Sequence, residues 1–145
     1  MIPTSKTLLA AGALVLAWPA TGALAGPTAI EQAIAAGGRH MTAAEITDRL
    51  ADKTVTFVNA SSGAEVRVYY DGHNGVLLKV AGKDETLEGF YATDLADHIC
   101  IGLRTGTPIR LRCVDVVLID DVMHKFELDG SLRGRVVVEE PGKLM

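Results

Sequence analysis

The chain is poor in sulfur, in aromatic side chains and in clustered charge, and each shortage removes a class of function. Its 145 residues include two cysteines and one tryptophan, and aromatics make up 5%. Cys100 and Cys113 form no Cys-x-x-Cys redox motif, and no second cysteine pair completes a structural zinc site. Lysine and arginine form no run in a chain of net charge -4, which argues against a nucleic-acid partner. No H-E-x-x-H occurs, and His40, His73, His98 and His124 share no helical spacing. The turn DGHNG at 71–75 lacks the oxygen series and closing glutamate of an EF-hand. Ser61, Ser62 and Ser131 lie outside any G-x-S-x-G elbow. Asp120-Asp121 and Glu139-Glu140 are adjacent pairs that read as solvated charge, not as carboxyls aimed across a cleft. The expectation is a protein without catalytic, cofactor or metal residues.

Long apolar runs are also missing. The longest, Thr7 to Trp18, follows a short polar start containing Lys6 and ends in Ala23-Leu24-Ala25. It falls short of the roughly 20 residues that span a bilayer, so no stable membrane anchor is expected. Its three-part layout is that of a secretory signal peptide, residues 1–25, cleaved before Gly26. No cysteine follows it to carry lipid, and no arginine pair precedes it. The expected location is periplasmic or secreted. Cleavage removes Lys6 and no acid, so the charge goes from -4 to -5. In an oxidising compartment two cysteines with none left over are expected to pair.

What the chain does have is alternation. Residues 26–41 read as a leader in which TAIEQAIAA makes a short helix stopped by Gly37-Gly38. A second helix starts at Thr42, with Glu45 completing a capping box and Ile46 and Leu50 on one face. From Thr54 the hydrophobic period becomes two. Val55 and Phe57 share a face, as do Val66, Val68 and Tyr70, and then Val76, Leu78 and Val80. About eight short strands follow one another at turn spacings of an all-β sandwich or barrel. No helix between them is long enough for a parallel crossover, so the sheet is antiparallel. A meander of this length hides its edges most simply by closing. The expected fold is mainly β: a small closed barrel of about eight strands in one domain, 42–139, behind a short N-terminal helix. The tail at 140–145 is expected to fray.

The stretch ICIGLRTGTPIRLRC, residues 99–113, sets a register. With Gly106-Thr107 as a two-residue turn, or a four-residue loop from Thr105 to Pro108 in the same register, Cys100 falls opposite Cys113 at a non-hydrogen-bonded position, close enough for a disulfide. His98 then faces Asp115, a cross-strand polar pair that would become catalytic only with a nucleophile beside it. The hairpin is apolar on neither face, which suggests a bulge near Cys113 to Asp115. Arg104, Arg110 and Arg112, with Arg133 and Arg135, gather much of the positive charge of an acidic chain into two hairpins. The first three mark a candidate contact patch for an anionic envelope component or an acidic protein loop.

The pieces TVTF, GAEVRVYYDGHNG, GFY, HICIGL, LRCVDVV and FELDGSLRG, between residues 54 and 135, resemble small exported bacterial domains of unknown function. A looser similarity is to periplasmic protease inhibitors of the small β-barrel type, which also carry one disulfide. Export, the disulfide, the β-meander and the lack of a catalytic constellation point to an exported module that acts by binding, as an inhibitor or interaction domain with an unknown protein partner. A lipocalin-like carrier of a small apolar ligand is the alternative, and a hydrolase the least favoured reading. N-terminal sequencing of the exported protein should begin at Gly26; an intact Met1 would remove the case for export.

Overall fold

A computed structural model of the protein describes residues 25–145. Of the expected signal peptide only Ala25 is among them. Two capping boxes start the fold. Thr28 and Thr42 each accept from the backbone N–H three residues on, and Glu31 and Glu45 reach back to the threonine N–H at 2.7 and 2.8 Å. Helix α1 spans Ala29–Ala35 and ends before Gly37, whose φ of 99° suits a residue without a Cβ. Strand β1, Arg39–His40, leads into helix α2, Ala43–Leu50. Ile46 and Leu50 of α2 are fully buried in the main core.

Eight strands then follow: β2 (Lys53–Asn59), β3 (Glu65–Tyr70), β4 (Gly75–Val80), β5 (Thr86–Thr93), β6 (Ile99–Leu103), β7 (Leu111–Ile119), β8 (Val122–Glu127) and β9 (Leu132–Pro141). Each pairs antiparallel with the next, and β9 returns to β2. The result is a closed up-and-down barrel, the architecture that leaves no edge along the ring. Strand β1 pairs with β7 at Leu118 and Val117, beyond the stretch that β6 occupies.

An up-and-down barrel places alternate turns at opposite ends. At one end α2 lays Ile46 and Leu50 over the core, and Arg49 ties the helix to two strand ends. Its guanidinium meets Glu139 of β9 at 2.8 Å and Asp121 of the β7–β8 turn at 3.1 Å. The other end carries the turns after β2, β4, β6 and β8 and, among the described residues, has no helix across it. The leader runs along the outside between the ends: the Ile30 N–H donates to Gly130 O, and the Met41 N–H to Val116 O. Beneath it Gly38 lies against Val117, which is fully buried on the outer face.

The tail that was expected to fray is tied down. Strand β9 continues to Pro141, and the Gly142 N–H donates to Asp52 O. The Thr54 hydroxyl donates to Gly142 O at 2.7 Å and accepts from the Leu144 N–H at 2.9 Å. Thr54 is only 1% exposed, and a buried hydroxyl needs partners; the tail supplies both.

Cys100 and Cys113 are opposite each other and bonded, with Cα atoms 3.9 Å apart. The expected register holds, but the tight turn does not form. Strands β6 and β7 end at Leu103 and Leu111, leaving residues 104–110 as a wide loop. Pro108 has no N–H to return to Thr105, and the Arg104 N–H goes to Glu88 O of β5 instead. The bulge expected near Cys113 to Asp115 is also absent. Both ladders of β7 run through without a shift, and the irregularities lie at Thr56/Phe57 and Lys125/Phe126. Ile99, Val114 and Val116 face the core, while the disulfide sits on the outer side of the same strands. Replacing both cysteines by serine should lower the unfolding free energy by about 3 kcal/mol, as expected for a loop of this length. Urea unfolding of the oxidised protein and the variant measures this; equal midpoints would show that the staple contributes nothing.

Candidate ligand cavity

Inside the barrel the strands follow the period-two pattern, with one exception in chemistry. Val55, Phe57, Val68, Tyr70, Val76, Tyr91, Ile99, Val114, Val116, Met123 and Val136 are all buried. Lys125 of β8 is buried with them, at 4% exposure. Alternation along β8 puts Met123 and Lys125 on the same side, while Phe126, paired with Asp115, is buried on the outer side. Opposite Lys125 on β9 stands Gly134. A Cβ there would lie only 2.5 Å from the Phe57 ring and would strike Val58 O. The absent side chain is what lets Phe57 lie beside the lysine.

The Lys125 ammonium has unusual company. It donates to the Tyr70 hydroxyl at 3.0 Å. It stands 5.4 Å from the centroid of the Phe57 ring and 5.5 Å from that of Tyr70. Cation–π contacts of this kind are worth on the order of 2 kcal/mol when desolvated. Among the described residues no carboxylate forms an ion pair with it. Removing a charge from water costs several kcal/mol unless it is paired. Two aromatic faces and one hydroxyl offset only part of that.

Lys125 also lines a cavity of about 600 Å³ at the end of the barrel without a helix. Leu78, Ile99, Ile101 and Val114 form its apolar wall, and the 104–110 loop forms one side of its mouth. Around that end Ile109, Leu111, Leu128 and Leu132 are each more than 40% exposed, an apolar fringe on otherwise polar turns. Pockets of 300–1,000 Å³ with apolar walls and few polar groups hold small organic molecules.

The arginines singled out in the sequence divide here. Arg110 and Arg112 line the mouth, joined by Arg133, while Arg104 is exposed outside the lining. Glu127 partly neutralises this group, meeting Arg133 at 2.7 Å and Arg112 at 3.9 Å. Lys125 went unnoticed in the sequence because VMHKFEL reads as an ordinary strand. The one signal was its place in step with Met123, and the register of that face is visible only once β8 is paired on both sides.

His98 and Asp115 come together more loosely than a cross-strand pair. Their nearest atoms are 3.7 Å apart, too far for a hydrogen bond. The His98 Nδ1–H donates instead to Asp94 at 2.8 Å, and His40 approaches Asp115 at 3.9 Å from β1. This cluster sits on the outer face at the helix-covered end. Beside it the Ala43 N–H at the start of α2 donates to Asp97 at 2.7 Å. The serines are occupied elsewhere: Ser61 and Ser62 donate to Asn59, and Ser131 to Asp129. Asp94 also lies near both cysteine sulfurs, but sulfurs joined in a disulfide are not the thiolates that bind metal. In the DGHNG turn Asp71 accepts from the N–H groups of His73 and Gly75, an Asx turn. Among the described residues no helix is long and apolar enough to cross a membrane.

Compared with known proteins, the chain matches no family model, no curated protein and no solved structure. Its own geometry therefore carries the functional reading.

The carboxylates at the helix-covered end set an acid limit. Hydrogen bonds from the Arg39 side chain, then from the Thr42 backbone, hold Glu45 down to about 2. The His98 backbone N–H, then its ring, hold Asp94 below its ordinary value. Both folded values lie below the unfolded ones, so the stabilisation is complete above the ordinary carboxylate range and is lost as pH falls. Urea midpoints should be level from neutral pH to about 5 as far as these groups are concerned, and should fall between about pH 4 and 2. A midpoint that does not move across that interval would contradict these assignments.

Proposed function

We propose that the protein is an exported, non-catalytic barrel that binds a small molecule with an apolar body in the open end of its interior. The observation that carries this reading is the cavity of about 600 Å³ between Leu78, Ile99, Ile101 and Val114, open at a mouth fringed by exposed leucines and an isoleucine. A filled eight-stranded barrel would have side chains in that space, and eight strands are just enough to hold one small ligand. The disulfide stands at the foot of the mouth loop and limits how far its two strands can part. These features favour holding a ligand over contact with a partner protein as the main role.

Contact through the arginines remains a second reading, supported by Arg104 and Arg110, which are exposed and form no ion pair among the described residues. The two readings separate on one neutral probe. N-phenyl-1-naphthylamine should bind saturably, with one site per chain, and brighten as it leaves water. Ile101→Trp, which fills the cavity, should weaken it at least tenfold while the circular dichroism spectrum is retained. Arg104→Glu with Arg110→Glu should leave it bound. No saturable binding to the native protein would sink the cavity reading and leave the arginine surface as the site to pursue.

A further inference from the structure

The cavity's chemistry specifies more than an apolar body. We infer that its ligand is an amphiphilic monoanion with a carboxylate head, and that Lys125 is the residue that holds the head. The inference rests on the cavity being a ligand site, and it adds the ligand's charge and the direction in which it enters.

Three observations converge. Lys125 is 4% exposed and lines the cavity. An ammonium has three donors, and the Tyr70 hydroxyl takes one, at 3.0 Å. No other protein acceptor engages its Nζ among the described residues, so two donors stay available to a guest. The surrounding aromatic rings stabilise the cation without neutralising it. A barrel that kept this lysine only for packing would place a methionine or leucine there at less cost, because an unpaired buried charge is expensive.

The positions of the other charges orient the guest. Lys125 lies between the apolar wall and the Phe57 and Tyr70 rings, whereas Arg110 and Arg112 stand at the mouth, where Arg112 is 62% exposed. The arginines attract an anion by long-range field. A single head group then reaches the interior lysine, where low dielectric strengthens the ion pair. One buried cation matches one negative charge. A dianionic phosphate would bring a second charge into an apolar space with nothing to neutralise it. A carboxylate at Lys125 leaves the chain to run along Ile99, Ile101 and Leu78 toward the apolar fringe at the mouth.

The test compares dodecanoate with dodecanol, which share a chain and differ in the head. Calorimetry on the purified protein near neutral pH should show dodecanoate binding tenfold or more tightly than dodecanol, the ratio expected for a charge-assisted hydrogen bond in a dry site. Lys125→Met keeps the stem and removes the charge, and should bring the two ligands to equal affinity. Equal binding of both by the native protein would overturn the carboxylate assignment while leaving the cavity reading in place. Binding of neither would overturn both. A folded Lys125→Met protein that still prefers the acid would move the head group to the arginines and overturn the role of Lys125. Should that variant not fold, the native protein still decides through the carboxyl ¹³C resonance of labelled dodecanoate. A bound signal broadened and shifted from the free acid supports the contact, and one identical to the free acid rejects it.

Discussion

The structure depends on the pairing of the first barrel strand with the last. Lys53–Asn59 and Leu132–Pro141 are separated by most of the domain, yet they form a continuous ladder with one bulge. Without it the meander would be an open sheet with two exposed edges and an interior face wet on one side. With it every strand of the barrel, β2 to β9, is paired on both sides, and the inward residues meet around a common axis. Closure also explains the ordered tail. Once β9 lies on β2, Gly142 and Leu144 are brought against Thr54, and a buried hydroxyl gains two partners.

The two ends of the barrel are finished differently, and that asymmetry makes the site. At one end α2 supplies Ile46 and Leu50 as a plug, burial worth roughly 1.5–3 kcal/mol for each side chain. Arg49 fixes that plug to β9 and the β7–β8 turn. Among the described residues no such helix serves the other end, where the wide 104–110 loop stands beside a cavity. The disulfide limits motion at the base of that loop without occupying the interior, because Cys100 and Cys113 point outward while Ile99, Ile101 and Val114 point in.

Lys125 is the point at which the interior departs from apolar packing. An apolar residue would serve the core better, and the aromatic rings of Phe57 and Tyr70 make the charge tolerable without cancelling it. Gly134 shows how far neighbouring positions accommodate this arrangement, since any side chain there would displace Phe57. Buried polar groups left without a charged partner are where a structure departs from the best packing, and such departures gather at functional sites.

Local chemistry made much of the fold legible. The capping box at Thr42, the inward series Val55, Phe57, Val68, Tyr70 and Val76, and the facing of Cys100 and Cys113 all depend on neighbours close in sequence or on one hairpin register. Each was readable because side-chain direction repeats every two residues in a strand and every three to four in a helix. The length of the 104–110 loop was not readable, since Arg104 gives its N–H to Glu88 on a different hairpin. The binding of the tail, the cluster of His40, His98 and Asp115, and above all the place of Lys125 arise from strands far apart in the chain. By itself the sequence determined the two helices, the eight barrel strands, the faces of the first strands and the cysteine pairing. Only the tertiary structure decided which end is open and which charge faces the cavity, because both depend on which distant strands lie side by side when the barrel closes.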